Sequence, residues 1–319
     1  MLSFGTDVSL SNPVDLRVQV GALRLNNPII TAGGTFGYGV EFAHFVDLNR
    51  LGGFVTKGIS KEPIEGAPAP RLHETPSGML NAIGLQNIGV EAFVRDKLPL
   101  LRKYNTHLIV NVFGYCLDEY VDVIRRLEEV EGISAYELNI SCPNVKRGGM
   151  QFGSDPEQAR EVVGGARKAA KSRPLWVKLS PLVSDIALIA RTAEAAGADA
   201  LTVANTYPAM AIDVRSGKSV LGNTTGGLSG PAIKPITLRL VWETRKAVKI
   251  PVVGLGGIET AEDVLQYMMV GASAVQVGTA SFADPRASEV ILGGLEKALT
   301  VVKALAINEI KDKFLIENG

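Results

Sequence analysis

The sequence predicts an α/β fold of the (β/α)8 TIM barrel class. Three observations carry that expectation. First, eight short apolar runs recur along the 319 residues, at 28–32, 53–57, 107–111, 135–140, 175–179, 200–205, 251–255 and 274–277. Runs this short and rich in β-branched residues suit strands buried on both faces. Second, helical patterns separate most of them, and eight strand–helix repeats favour a closed barrel over an open doubly wound sheet. Third, the runs end in Gly, Asn, Lys or Thr. Such residues are expected where barrel strands reach their functional rim.

The elements follow in order. Residues 15–25 alternate Leu16, Val18, Val20, Leu23 and Leu25 around Gly21, the pattern of a β-hairpin, placed here at the barrel floor. After the fourth run, Ser154 and Asp155 precede Pro156, a favoured first-turn residue. After the fifth, Ser184 is the expected cap. Ile186, Ile189, Ala190 and Ala193 then follow at helical spacing, and Gly197 stops the helix. After the seventh, Thr260 and Asp263 form a capping box with Asp in place of Glu. Two excursions, 60–87 and 207–230, are rich in Gly with Pro or with Ser and Thr. Both follow strands, so both rise over the same face as lids or binding loops.

Composition narrows the function. The 33 Lys and Arg balance 33 Asp and Glu, which gives no electrostatic footprint for nucleic acid or an anionic membrane. A hydrophobic fraction of 46% supports a large core. Two cysteines, Cys116 and Cys142, make no disulfide framework, and three scattered histidines make no zinc site. No signal peptide is expected at the start, and no apolar stretch reaches the ~18 residues of a membrane span. A cytoplasmic protein with one domain over residues 1–319 is expected.

The run ends collect the chemistry. They hold Gly33, Gly34, Lys57, Gly58, Asn111, Asn139, Lys178, Asn205, Thr206, Gly256, Gly257, Gly278 and Thr279. One Lys or Asn there would be a snorkelling side chain or a turn cap. So many together point to a site, because burying unpaired ammonium and amide groups is costly. The glycines after the last two strands mark where barrels commonly bind phosphate. Cys142 lies just past a strand in NISCPN, ahead of a glycine-bearing stretch at 145–153 suited to a moving lid. Cys116 is the expected inert buried cysteine. Carboxylates are missing from these run ends, which disfavours glycosidase and metal-hydrolase chemistry. Amides and ammonium groups suit a planar polar heterocycle and an anionic cofactor. The glycine clusters fail the GxGxxG spacing, so no Rossmann dinucleotide site is expected.

The strings TAGGTFGYG, TKG, TPSGMLNAIGLQN, NVFG, ELNISCPNVKRGGMQFG, WVKLSP, ANT, GGLSGPAIKP, GLGGI and VGTA together resemble the class 1 dihydroorotate dehydrogenases. The likeness runs from about residue 26 to 285 and keeps every motif in order. The lid and the TPSGMLNAIGLQN segment look most like subtype B, the NAD-linked catalytic subunits. Membrane-bound class 2 enzymes use serine as base and carry an N-terminal extension.

The resemblance implies FMN over the barrel mouth, held by Gly33, Lys57, Gly58, Asn111, Asn139, Lys178, Ala204, Gly230, Gly256, Gly257, Gly278 and Thr279. It implies that dihydroorotate meets Lys57, Asn81, Ala82, Ile83, Gly84, Leu85, Asn139, Asn205 and Thr206, with Cys142 as general base. Gly33 stands where the family often has Ser, and Ala204 replaces a bulkier aliphatic residue. The subtype passes electrons to a partner subunit carrying FAD and a 2Fe-2S cluster, which reduces NAD. This chain has no cysteine cluster of its own for that step, so a homodimer core with two partner subunits, a heterotetramer, is expected. The alternatives are the fumarate-linked subtype, a Schiff-base aldolase using Lys178, an FMN-dependent tRNA dihydrouridine synthase and a non-enzymatic scaffold.

Overall fold

The computed structural model describes residues 14–141 and 152–318. Its centre is a closed barrel of eight parallel strands. These are β1 (Ile29–Thr31), β2 (Gly53–Val55), β3 (His107–Val112), β4 (Ala135–Asn139), β5 (Leu175–Lys178), β6 (Ala200–Val203), β7 (Val252–Leu255) and β8 (Ala272–Val277). All eight predicted runs are barrel strands, and every residue of β1 to β8 is buried except His107 at the start of β3, which is half-buried. Helices pack outside and the strands enclose a second layer inside, so both strand faces are apolar except where the site begins.

The helices follow the expected signals with one shift. Helix Leu117–Glu128 buries Tyr120, Val123, Ile124 and Leu127, spaced at i, i+3, i+4 and i+7. Asp155 caps Pro156–Ala169 by accepting from the Gln158 amide. At Ile186–Ala195 the cap is Asp185 rather than Ser184. Its carboxylate accepts from the Leu188 amide, and an ionised acceptor outcompetes a hydroxyl one position earlier. The Thr260–Asp263 capping box on Ala261–Met269 is complete in both directions. Cys116 is half-buried at the N-cap of Leu117–Glu128, not sunk in the core as expected.

The hairpin Val18–Val20/Leu23–Leu25 turns at Gly21 in the left-handed region. It sits against Asp199, just before β6, and the Arg24 carbonyl bonds the His107 ring at the start of β3. The barrel floor is therefore where the sequence places it. The two long excursions are not loops throughout. They meet in a four-stranded antiparallel sheet, ordered Tyr207–Ala209, Gly226–Ser229, Gly78–Asn81 and Leu72–Thr75. A small apolar cluster of Leu80, Ala82 and Leu221 lies with this sheet. Strands this short and glycine-rich hide from periodicity, because each acquires its partner only from a distant segment. Among the described residues no helix is long and apolar enough to cross a membrane.

Candidate active site

Two adjoining cavities open between the C-terminal ends of the barrel strands and the antiparallel sheet above them. They share Gly33, Thr35, Asn81, Lys178, Asn205 and Thr206. One continues to Ala204, Gly230, Gly256, Gly257, Gly278 and Thr279. The other continues to Lys57, Gly58, Asn111, Asn139 and the turn from Ala82 to Leu85. The structure thus brings all the expected cofactor- and substrate-contacting residues around one continuous space. Cys142 lies outside the described residues, as does nearly all of the 145–153 stretch.

The barrel explains the convergence. In parallel register Asn111 lies beside Glu137, Asn139 beside Lys178, and Lys178 beside Thr202. Side chains at these positions share the inner face, so apolar strands deliver amides and an ammonium group to one rim. Lys178 is buried, and its ammonium has no hydrogen-bond partner among the described residues. Burial pushes its pKa down, and the charge of Glu137 pulls it back up. Lys57 is half-buried against the Tyr38 ring. Burial and Arg71 push its pKa down, while Glu41 opposes them.

Glu137 corrects the expectation of a site without acids. Its carboxylate is fully buried inside the barrel, two residues before Asn139. It accepts from Asn111 Nδ2 at 2.7 Å, Thr202 Oγ1 at 2.8 Å and Gln276 Nε2 at 2.5 Å. The alternation of Glu137 with Asn139 in one strand is the signal that could have placed it beneath the site. The sequence also hides Ser141. Its hydroxyl donates to Asn139 Oδ1 at 2.8 Å and accepts from Asn205 Nδ2 at 2.6 Å. Asn205 Oδ1 in turn accepts from the Thr206 amide.

These bonds fix which polar atoms the cavity meets. Asn139 turns its amide nitrogen outward, because its oxygen is committed to Ser141. Asn81 donates Nδ2 to the Gly227 carbonyl at 3.1 Å and leaves its own oxygen available. Gly227 is required at this contact, since a Cβ there would lie 2.1 Å from Thr206 Oγ1. Leu85 adopts φ of +58° at the cavity edge, a strained conformation for a branched side chain.

The glycine end of the cavity is built differently from a simple helix N-terminus. The helix after β7 is closed by its own capping box, and the one after Thr279 spans only Ala280–Ala283. The backbone of the turns remains. The Gly256 carbonyl is anchored by the Tyr267 hydroxyl at 2.6 Å, and Gly257 takes φ of +66°. A Cβ on Gly278 would meet nothing closer than Ala32 at 3.4 Å, so this position tolerates a Cβ in ordinary contact at the cavity wall. Glu259 also borders this end, and burial together with Asp263 pushes its carboxyl pKa up.

The site is thus a barrel mouth lined by amides and an ammonium group, with glycine-rich turns at one end. A family model described as dihydroorotate dehydrogenase matches residues 15–299, and the chain belongs to that family. It is 53% identical over 299 residues to "dihydroorotate dehydrogenase B (NAD(+)), catalytic subunit" of Thermodesulfovibrio yellowstonii, covering 94% of this chain and 98% of that protein. Proteins of the same name from Trichlorobacter lovleyi and Pelobacter propionicus are each 55% identical, over 89% of this chain and 93% of theirs.

Proposed function

We propose that this chain oxidises dihydroorotate to orotate for pyrimidine biosynthesis, with FMN as its cofactor. The observation that carries the reading is the shared cavity, in which the glycine cradle and the amide-lined half meet at Lys178. These residues fit FMN: the Gly256–Gly257 and Gly278–Thr279 turns line the cavity with backbone that can approach a phosphate, a Cβ being accommodated only at Gly278, and the buried Lys178 lines the space a ring would fill. Lys57, Gly58, Asn111, Asn139, Ala204 and Gly230 would complete the holding set, with Gly33 contributing backbone only. FMN, when bound, supplies the acceptor for the hydride that leaves carbon six of the substrate.

The chain's own residues do the rest. Asn81, Asn139, Asn205 and Thr206 present donors and acceptors to the edges of a pyrimidine, and Lys57 with the turn at 82–85 holds its carboxylate. A site of such amides rejects analogues that leave them unpaired. Cys142 takes the proton from carbon five, so the substrate loses a hydride and a proton and gains a double bond. A free thiol has a pKa of about 8.5, so this base works best on the alkaline side or with a lowered pKa. Lys178 stabilises negative charge that gathers across the cavity during the reaction. A partner subunit carrying FAD and a 2Fe-2S cluster would take the electrons on to NAD, in a heterotetramer built on a homodimer of this chain. The names of the relatives support this NAD-linked form over the fumarate-linked one.

Cys142→Ala tests the assignment. The variant is expected to retain FMN and to lose dihydroorotate oxidation by about a hundredfold or more, the scale of a general base. Full activity in this variant would remove Cys142 from the mechanism.

A further inference from the structure

We infer that Glu137 is a positioning residue of this site: it fixes which end of the Asn111 amide the cavity meets and supplies the counter-charge to Lys178. The inference rests on the FMN reading above. An ionised carboxylate only accepts hydrogen bonds. Asn111 therefore has to turn Nδ2 down to Glu137, and its Oδ1 lies upward beside Gly58 at the cavity wall. Beside Gly58 the cavity therefore meets an acceptor, while Nδ2 lies toward Gly33 and keeps one N–H beyond the bond to Glu137. The Asn111 backbone N–H donates to the Thr56 hydroxyl, which ties this position of β3 to the residue after β2.

Gln276 shows how strongly the carboxylate dictates its surroundings. Its Nε2 is drawn to Glu137, and its Oε1 is left buried without a partner among the described residues. An unpaired buried carbonyl is unfavourable, so the network accepts that cost to satisfy the carboxylate. The three donors come from β3, β6 and β8, so Glu137 ties together strands on opposite sides of the barrel. Asn139, two residues after Glu137 in β4, lies beside Lys178 in β5, so this carboxylate is a neighbouring charge that opposes the effect of burial on Lys178. Glu41 and Arg71 act on Lys57 instead.

The test uses the full chain, stripped of flavin and titrated with FMN by fluorescence from pH 6 to pH 9. Glu137→Gln keeps the size of the side chain and removes its charge. It is expected to weaken FMN binding about tenfold, the lower end of the range for hydrogen bonds to charged groups, with the loss larger toward the alkaline end, because without the carboxylate the buried Lys178 gives up its proton more readily. The swap Glu137→Gln with Asn111→Asp returns one carboxylate to the network and again offers an oxygen to the cavity. It is expected to recover most of the lost affinity. Binding by Glu137→Gln within about twofold of wild type at every pH overturns the inference, as does a loss that neither depends on pH nor responds to the swap. Should Glu137→Gln fail to fold, the swap alone decides: a folded, FMN-binding swap supports the assignment and a swap that fails likewise overturns it. A wild-type chain that takes up no FMN is a different outcome, and it overturns the flavin reading itself.

Discussion

Replacing Ser141 with alanine isolates one joint in the substrate wall. Ser141 is 6% exposed, and its hydroxyl joins Asn139, itself 9% exposed, to Asn205. Alanine removes an acceptor for Asn205 Nδ2 and a donor for Asn139 Oδ1, and leaves the fold of β4 untouched. Asn205 stays tethered by the Thr206 amide, so it loses less. Asn139 loses the bond that turns its nitrogen to the cavity. Each neutral hydrogen bond contributes about 1 kcal/mol net, so the pair accounts for about 2 kcal/mol. Part of that falls on stability and part on ligand binding. If about 1.4 kcal/mol falls on binding, kcat/KM for dihydroorotate drops about tenfold. The assay is steady-state oxidation with a dye as electron acceptor, alongside an orotate titration followed through the flavin spectrum. Unchanged kcat/KM and unchanged orotate affinity in a folded, flavin-loaded variant would refute the reasoning.

Two further outcomes follow from the same geometry. Burial holds the Lys178 pKa below its ordinary 10.5 in the folded chain, against the pull of Glu137. Unfolding therefore takes up a proton in the window between the two values, and stability rises with pH there. Melting temperatures of flavin-free wild type should gain on those of Lys178→Gln as pH rises toward 10.5; parallel curves would show that Lys178 is not desolvated. Gly257→Ala places a Cβ 2.7 Å from the Gly230 carbonyl at a φ of +66°. Left-handed strain of about 1–2 kcal/mol, relieved by a shift of the turn, predicts FMN affinity weaker by about five- to thirtyfold. Wild-type affinity in that variant would show that the turn does not form the cradle.

Much of the architecture was legible because the barrel imposes one rule eight times. A strand covered by helices outside and side chains inside has to be apolar throughout, and such runs stand out between capped helices. Thr260 and Asp263, or Asp155 before Pro156, show the same clarity for local signals, since capping spans a single turn. Glu137 was illegible for the opposite reason. One acid in the run AYELN resembles an ordinary polar strand position until β3, β6 and β8 close around it. Ser141 was overshadowed by the thiol beside it in sequence, and its partners are 2 and 64 positions away. The sheet over the mouth depends on Gly227 meeting Asn81, 146 residues apart, and no local pattern encodes that pairing. The roles given to individual cavity residues came from the family resemblance, whereas their convergence on one rim could be argued from the run ends alone.

The most direct test of the central claim is the visible spectrum of the purified chain before and after anaerobic addition of dihydroorotate. The account predicts a yellow protein whose flavin absorbance bleaches in proportion to the orotate formed. A colourless protein, or a flavin that stays oxidised in the presence of dihydroorotate, would contradict it.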